Sequence, residues 1–570
     1  MAMSDRMHPI PFERLLDWIF TELDTQKNIF GIKRFYRPPE GAGRPYLGRR
    51  PETAVGPAAG PHAQLAQNIV AAYLCGARVF ELKTVQILDG EDLKVSKPCI
   101  WAEDEGYNCE WSTELTVPQA RDEYIKGWFL LHVLAAELGL GRQDGFVFIM
   151  SVGYDLDGIK SAKIDGFLEA MKDASQSEQY VECRRVLRSR LGSFKHFGLA
   201  ELEAVSPHIC NCVTISTMHG CPPAETERIA RYLLEEKRLN LLLKCNPTLV
   251  GFEYARKALD ARGFTHIQME REAFDNDLQY ADAVPMLERL QALACDLGLY
   301  FGVKLTNTLH VKGDRGTLPD ENIYMSGRTL LPLSLKIAAR LSRDFGGRLP
   351  MSYCGGVDAK NIRALRKAGL YPVTVCTELL KPGGYGKLNA MASALDEMED
   401  AGTVTDSAAL DGLSETLCGE VKLIPALLGA VRRMLRPDDP KQKVVCKRAC
   451  GICAAVCPNR ANVIVQIEGQ KQMLHLDALC NECGNCAGFC TDKCAPYLEK
   501  FTLFDSPKAL RDSRNAGLAW LGPGKFLLRW DGVVRQVDSE DADVSGELRV
   551  LMKWLVDDPF GRVISWASGS

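Results

Sequence analysis

Nine of the chain's 21 cysteines fall between Cys446 and Cys494, and their spacing is the most specific chemical signal in its 570 residues. The first run is Cys446-x₃-Cys450-x₂-Cys453-x₃-Cys457-Pro458. The second is Cys480-x₂-Cys483-x₂-Cys486-x₃-Cys490, with Cys494 just beyond. The second run has the spacing that holds [4Fe–4S] clusters, and the first differs by one residue in its opening gap. Cysteines every third residue wrap three thiolates around one face of a cubane, and the fourth ligates the other cluster. This assigns Cys446, Cys450, Cys453 and Cys490 to one cluster. Cys480, Cys483, Cys486 and Cys457 go to the other. Cys-x₂-Cys pairs also bind zinc, but eight cysteines in two runs, one closing on Cys-Pro, make zinc the poorer reading. Two close clusters conduct single electrons and have no catalytic task alone, so a redox centre is expected elsewhere in the chain.

Three lysines end apolar runs upstream: Lys83 in Val79–Val85, Lys244 after Asn240-Leu241-Leu242-Leu243, and Lys304 after Tyr300-Phe301-Gly302-Val303. Together they suggest a shared anion or electron-rich ring. Each alone also fits a lysine snorkelling to water. Glu81 and Lys83 lie on one strand face, which allows either a buried ion pair or an inward lysine at a cofactor. Gly355-Gly356, and Thr377-Glu378 followed by Gly383-Gly384, close the last two runs, where exposed backbone amides suit a phosphate dianion. Met218-His219-Gly220-Cys221-Pro222-Pro223 leads from a strand into a helix, because proline suits a helix start. A cysteine there is expected to favour the thiolate and to exchange a proton beside a cofactor, against the plainer reading of a buried inert thiol. His219 is the weaker candidate. The loop Trp101–Glu114 mixes aromatics with acids and reads equally as a lid or as a solvated acidic loop.

The elements that must position these residues alternate short β-rich runs with helices. The runs are Thr53–Gly56, Val79–Val85, Phe146–Val152, Cys212–Met218, Asn240–Cys245, His266–Glu270, Tyr300–Thr306, Pro350–Cys354 and Pro372–Thr377. Such alternation with little hairpin chemistry implies a parallel sheet, and about 340 residues suit a (β/α)₈ barrel, whose chemistry sits at the C-terminal strand ends. Nine runs for eight places mean that His266–Glu270 is extra or an end strand is misread. The domain reading is an N-terminal helical extension (1–50), a barrel (51–395), a connector (396–440) with a helix over Ile424–Leu435, a two-cluster domain (441–500) and a small α+β tail (501–570).

Composition is ordinary for a globular chain, with 46% hydrophobic and 25% charged residues. Lys plus Arg total 69 against 73 Asp plus Glu, a net charge of −4, so no basic excess awaits nucleic acid. No apolar stretch reaches the ~18 residues of a membrane span. The N-terminus lacks a signal-peptide pattern, so the cysteines are expected to serve redox chemistry in the cytoplasm rather than disulfides.

These residues resemble the FMN-dependent barrels of dihydroorotate dehydrogenase and dihydropyrimidine dehydrogenase over about residues 50–390, and the latter also carries a ferredoxin segment after its barrel. Val55-Gly56-Pro57-Ala58-Ala59-Gly60 looks like the family's loop along the flavin, and Lys83-Thr84 like its flavin lysine region. Thr306-Asn307-Thr308, Ser326-Gly327 and Gly355-Gly356 resemble its later motifs, and Cys221-Pro222 resembles its acid/base cysteine. The family's Asn is absent before Cys221, and Lys244 and Lys304 compete for one lysine position. More closely, the chain resembles the selenate reductase iron–sulfur subunit family, associated with anaerobic purine and urate breakdown. Met218-His219-Gly220-Cys221-Pro222-Pro223, Glu81-Leu82-Lys83-Thr84-Val85-Gln86 and Tyr385 after Lys381-Pro382-Gly383-Gly384 carry that match.

The resemblance implies FMN held by Gly56, Ala58, Ala59, Lys83, Thr84, Lys244, Lys304, Thr306, Asn307, Ser326, Gly327, Gly355, Gly356, Thr377 and Glu378. It implies two [4Fe–4S] clusters and Cys221, with His219, as the catalytic pair. The expected activity is an oxidoreductase that reduces or oxidises a purine- or pyrimidine-like cyclic amide. The alternative is an electron-transfer subunit serving a separate catalytic partner. Gly139-Leu140-Gly141 is the nearest approach to a dinucleotide loop, and it ends a helix. An FAD/NAD(P)H-binding or other redox partner and an oligomeric state are therefore expected.

Overall fold

The computed structural model describes residues 6–103, 105–110, 112–216, 220–313, 318–398, 402–417, 446 and 448–566. Eight parallel strands form the barrel: β1 Val55–Pro57, β2 Val79–Glu81, β3 Val147–Gly153, β4 Cys212–Ser216, β5 Asn240–Cys245, β6 Phe301–Leu305, β7 Met351–Tyr353 and β8 Val373–Val375. The hydrogen-bonded order is β1-β8-β7-β6-β5-β4-β3-β2. The strands are packed on both faces, so they read as nearly continuous apolar runs such as Leu241-Leu242-Leu243. The barrel closes between β1 and β2, where Arg78 N donates to the Val55 carbonyl at 3.0 Å. Gly56 makes that approach possible, because a Cβ there would lie 1.6 Å from the Val79 carbonyl oxygen.

The surplus run is His266–Glu270. It joins no barrel strand, and Gln268 makes one isolated bridge to Lys312 outside the barrel. Helices follow the strands, including Pro223–Arg231 after β4 and Leu331–Asp344 before β7. The helix Ser407–Thr416 packs on Leu331–Asp344, so part of the expected connector belongs to the barrel's outer layer. The helix expected over Ile424–Leu435 lies outside the described residues.

Four short antiparallel strands cover the C-terminal face of the barrel. Their order is Ile100–Trp101, Gly106–Asn108, Asn322–Ser326, Leu309–Lys312. The cysteine-rich segment and the tail form one unit, not two. Strands β9 Asn462–Ile467, β10 Gln470–Leu476, β11 Thr502–Phe504, β12 Gly517–Gly522, β13 Lys525–Trp530 and β14 Val533–Asp538 make a single six-stranded sheet in that order. The expected boundary at 500/501 is crossed by the parallel pairing of β10 with β11. The N-terminal helix Phe12–Gln26 also reaches the tail. Trp18 packs edge-on to Phe560, with ring centroids 6.0 Å apart. No described helix is long and apolar enough to cross a membrane.

Candidate functional site

A cavity of about 700 Å³ opens at the C-terminal ends of the barrel strands, the face that carries chemistry in this architecture. Seven of the eight strand ends contribute, β4 through Ser216 and the others through residues at or just past them. Ala58 and Ala59 follow β1, Lys83 follows β2, Lys244 lies near the end of β5, and Thr306 and Asn307 follow β6. Gly355 and Gly356 follow β7, Thr377 and Glu378 follow β8, and Ser326 and Gly327 come from the covering sheet.

The glycines are required by the backbone. Gly355 and Gly356 have φ of +108° and +71°, and a Cβ on Gly356 would lie 2.8 Å from Leu331 Cβ. Ser326 Oγ and Thr377 Oγ1 share a hydrogen bond of 2.8 Å beside them. The helix Leu331–Asp344 begins at the cavity-lining Leu330, so small loops, hydroxyls and a helix N-terminus converge as an anion cradle.

The three lysines have three different fates. Lys304 is fully buried inside the barrel and does not line the cavity. Its ammonium donates to Glu81, to Ser352 Oγ at 3.0 Å and to Thr374 Oγ1. All three of its protons are used, so the expected cofactor contact is replaced by a structural one. Lys83 lines the cavity and pairs with Glu110 Oε1 at 2.9 Å, so the Glu81–Lys83 pair considered from sequence does not form. Lys244 lines the cavity with no hydrogen-bond or ion-pair partner among the described residues. Burial depresses its pKa, and Lys304 and Lys83 add to that against the opposing pull of Cys354 and Glu81. A lysine Nζ in that position suits a hydrogen bond to an electron-rich ring edge.

Two other expected contacts are packing positions. Gly56 sits in the β1–β2 closure, and Thr84 is buried against Ser151, with hydroxyls 2.8 Å apart. Thr306 lines the cavity with its hydroxyl on Ser334 Oγ at 2.8 Å, and Asn307 donates to Asn246 Oδ1 at 3.2 Å.

Cys221 faces a different space. It lines an adjoining cavity of about 340 Å³ with Asp155, Glu225 and Arg228, and Gly220 lines both cavities. Burial raises its thiol pKa, and Glu225, Asp277 and Asp155 reinforce the shift against the Thr226 hydrogen bond. The thiolate expected at a helix start therefore gives way to a neutral thiol, able to donate a proton. His219 lies outside the described residues.

Of the described acids in the loop, Glu105 and Glu110 are buried and Glu114 is half-buried, whereas Glu103 is exposed. Glu110 is 4% exposed, and Glu114 is held by Lys97 and by Asn481 Nδ2 at 2.7 Å. Burial, with the neighbouring Glu110 charge, pushes Glu114 up to about 7 against the pull of Lys97. For Glu110 burial acts upward, but Lys83 and Lys97 outweigh it and lower its pKa. Cys354 and Cys376 also line the main cavity, and Cys354 Sγ lies 3.3 Å from the Thr306 carbonyl. Their place before the strand-end glycine and threonine was the available signal for both.

The cysteine runs interleave around two hollows. Cys446, Cys450, Cys453 and Cys490 line one, and Cys457, Cys480, Cys483 and Cys486 line the other. Backbone amides of Ala461 and Glu482 donate to Cys457 and Cys480 Sγ, each at 3.3 Å. Cys494 Sγ lies 3.2 Å from Cys490 Sγ, and that hydrogen bond lowers the Cys490 pKa to about 6. No disulfide occurs among the described cysteines.

The second hollow abuts the barrel mouth. The Cys483 carbonyl accepts from Cys99 N at 3.0 Å and from Ile100 N at 2.9 Å, and Ile100 lines the main cavity. Asn485 Nδ2 donates to the carbonyl of cavity-lining Leu380 at 2.9 Å. Tyr385 Oη donates to the Pro458 carbonyl at 2.8 Å, and Gly384 lies so close to Ala455 that a Cβ would meet its carbonyl oxygen at 2.0 Å.

Comparison with known proteins agrees with this architecture. Residues 30–422 match the family model described as oxidoreductase YgfK, N-terminal TIM-barrel domain. Two curated relatives named "Putative oxidoreductase YgfK", from Escherichia coli strain K12 and from Escherichia coli O157:H7, are each 50% identical over 408 residues. The match covers 69% of this chain and 39% of each relative, so the chain spans about two fifths of the curated relatives' length. A barrel of eight parallel strands with polar loops converging at its mouth, matched by this model over most of its length, places the chain in the YgfK oxidoreductase family.

Proposed function

We propose that this chain is an iron–sulfur flavoprotein oxidoreductase, with FMN in the barrel mouth and a [4Fe–4S] cluster in each cysteine hollow. It acts on a purine- or pyrimidine-like cyclic amide, in anaerobic purine or urate breakdown in the cytoplasm. The observation that carries this reading is the shared wall between the inner cysteine hollow and the mouth cavity, through Cys483 and Ile100. Two electron-handling sites in backbone contact need no mobile carrier between them.

The residues present suit these groups. Ala58 and Ala59 leave a small-residue wall for a ring, and Lys244 offers its unpaired Nζ to the electron-rich edge. Ser326, Gly327, Gly355, Gly356 and Thr377 would hold the phosphate. Eight cysteines in two sets of four match two cubanes. When bound, FMN supplies hydride transfer and the clusters supply single electrons.

The chain's own groups do the rest. The covering sheet, with Tyr324 and His310 on the cavity wall, narrows the mouth and holds a planar ring. The Lys83–Glu110 pair fixes a neutral polar wall beside it. Cys221 holds a proton at Sγ in the adjoining cavity and would act as general acid toward a ring edge that reaches past Gly220, the residue both cavities share. An FAD/NAD(P)H-binding or other redox partner subunit supplies or removes electrons at the outer hollow, where Cys450 is exposed, and the working form is an oligomer.

The competing reading is a relay that serves a separate catalytic enzyme of the selenate reductase type. Anaerobic reconstitution with FMN, iron and sulfide separates the two. The proposal expects urate, xanthine or uracil, in its oxidised or reduced form, to change the FMN absorbance without any partner. Stoichiometric FMN and iron with no response to any ring would leave only the relay. Protein that releases no FMN on denaturation would end both.

A further inference from the structure

The outer hollow holds one charged side chain that neither the cysteine spacing nor the proposed reaction uses. Lys500 follows the short helix Pro496–Glu499 and lies two residues before β11. Its backbone amide donates to the Pro496 carbonyl at 3.2 Å, and its own carbonyl accepts from Thr502 Oγ1 at 3.0 Å. Thr502 is fixed in turn between His475 of β10 and Gly517 of β12. The side chain is therefore set by the sheet rather than free to wander.

Lys500 is 9% exposed, and its Nζ donates to Cys446 Sγ at 3.1 Å. Among the described residues it makes no ion pair with a carboxylate. The negative groups bearing on it are the thiols Cys446, Cys494 and Cys490. A desolvated ammonium is costly unless an anion meets it, and with the cluster bound the anion would be the four ligand sulfurs gathered around this hollow. The inner hollow differs, because the amides of Ala461 and Glu482 meet its sulfurs and no lysine is bonded to them among the described residues.

We infer that Lys500 is the charge partner of the outer iron–sulfur cluster and raises its reduction potential, fitting that cluster to take the first electron from an external donor. This rests on the cluster assignment above. The sign follows from charge. One-electron reduction adds a negative charge to the cluster, and a fixed positive charge bonded to a ligand sulfur stabilises the reduced form more than the oxidised one. Burial keeps salt from screening the effect. Position agrees, because Cys450 exposes the outer hollow while Cys457, Cys480, Cys483 and Cys486 are all buried.

The test is a potentiometric titration of the reconstituted full chain followed by EPR. Dithionite, oxidised to sulfite, supplies one electron to each cluster. Cys483→Ala removes the inner signal and so identifies the outer one. Lys500→Gln is expected to lower the outer potential and leave the inner one in place, and Lys500→Arg is expected to restore it. Unchanged potentials in Lys500→Gln at wild-type iron content would overturn the inference. If that variant sheds iron, pulsed proton spectroscopy of the reduced wild type in H₂O and D₂O decides. Exchangeable protons coupled to the outer cluster support the ammonium contact, and their absence refutes it. Wild-type protein that takes up no iron would bring down the cluster assignment and this inference together.

Discussion

Lys304 offers the sharpest separation between a cofactor contact and a structural one. Lys304→Met removes the bonds to Glu81, Ser352 and Thr374 at once. Glu81 is 1% exposed, so the substitution leaves an uncompensated carboxylate in the barrel interior. Removing one partner of a buried pair costs about 3–5 kcal/mol. That raises the unfolded population from roughly 10²-fold to several thousandfold, at 1.4 kcal/mol per tenfold. The double variant Glu81→Leu/Lys304→Met removes both charges and is expected to recover most of the loss, since apolar replacements of buried pairs are often neutral. Urea unfolding followed through the buried Trp128 measures both. FMN bound per folded chain is expected to be unchanged in the single variant. Wild-type stability together with lost FMN would refute the reasoning and return Lys304 to the cofactor.

Gly56→Ala is expected to destabilise the barrel by several kcal/mol, because its Cβ would occupy the space of the Val79 carbonyl; a soluble variant with an unchanged urea midpoint would contradict this. Glu114 gives a pH signature. Its folded pKa of about 7 lies above its ordinary value of 4.5, so the folded chain keeps a proton that the unfolded chain has released. Stability therefore falls as pH rises from about 5 to 7 and then levels off. Glu114→Gln lacks this slope, and the two proteins are expected to diverge by up to about 3 kcal/mol; parallel midpoints from pH 5 to 8 would sink the idea. Cys221→Ala is expected to keep FMN and both clusters while losing about 10²- to 10⁴-fold in ring turnover, and full turnover would remove Cys221 from the mechanism.

Much of the barrel was legible, because strand–helix alternation and strand-end glycines are local patterns. Each of the eight strands overlaps an expected run, with β1 and β3 each reaching one residue beyond it, whereas His266–Glu270 misled because a short apolar stretch looks the same in a barrel strand and in a peripheral bridge. The two lysines could not be separated by sequence. Both end apolar strands, and they lie side by side in register. What distinguishes them is Glu81 on the far side of the barrel, 223 residues from Lys304. Sequence leaves the acidic loop equally a lid or a solvated loop because its countercharges come from elsewhere, Lys83 at 27 residues from Glu110 and Lys97 at 17 from Glu114. The tail looked independent because the parallel pairing of β10 with β11 bridges the second cysteine run. Hydrophobic period does not encode such non-local pairing.

The proposed reaction requires electronic contact between the inner cysteine hollow and the barrel mouth. It is tested most directly by stopped-flow mixing of the reconstituted protein with less than one equivalent of dithionite, observing FMN and cluster absorbance together. Clusters are expected to bleach first, and FMN then to bleach at a rate independent of dithionite concentration. This second phase should vanish in Cys483→Ala, which should also hold about half the wild-type iron while keeping its FMN. FMN bleaching at the same rate in that variant, or at a rate set only by dithionite, would contradict the account.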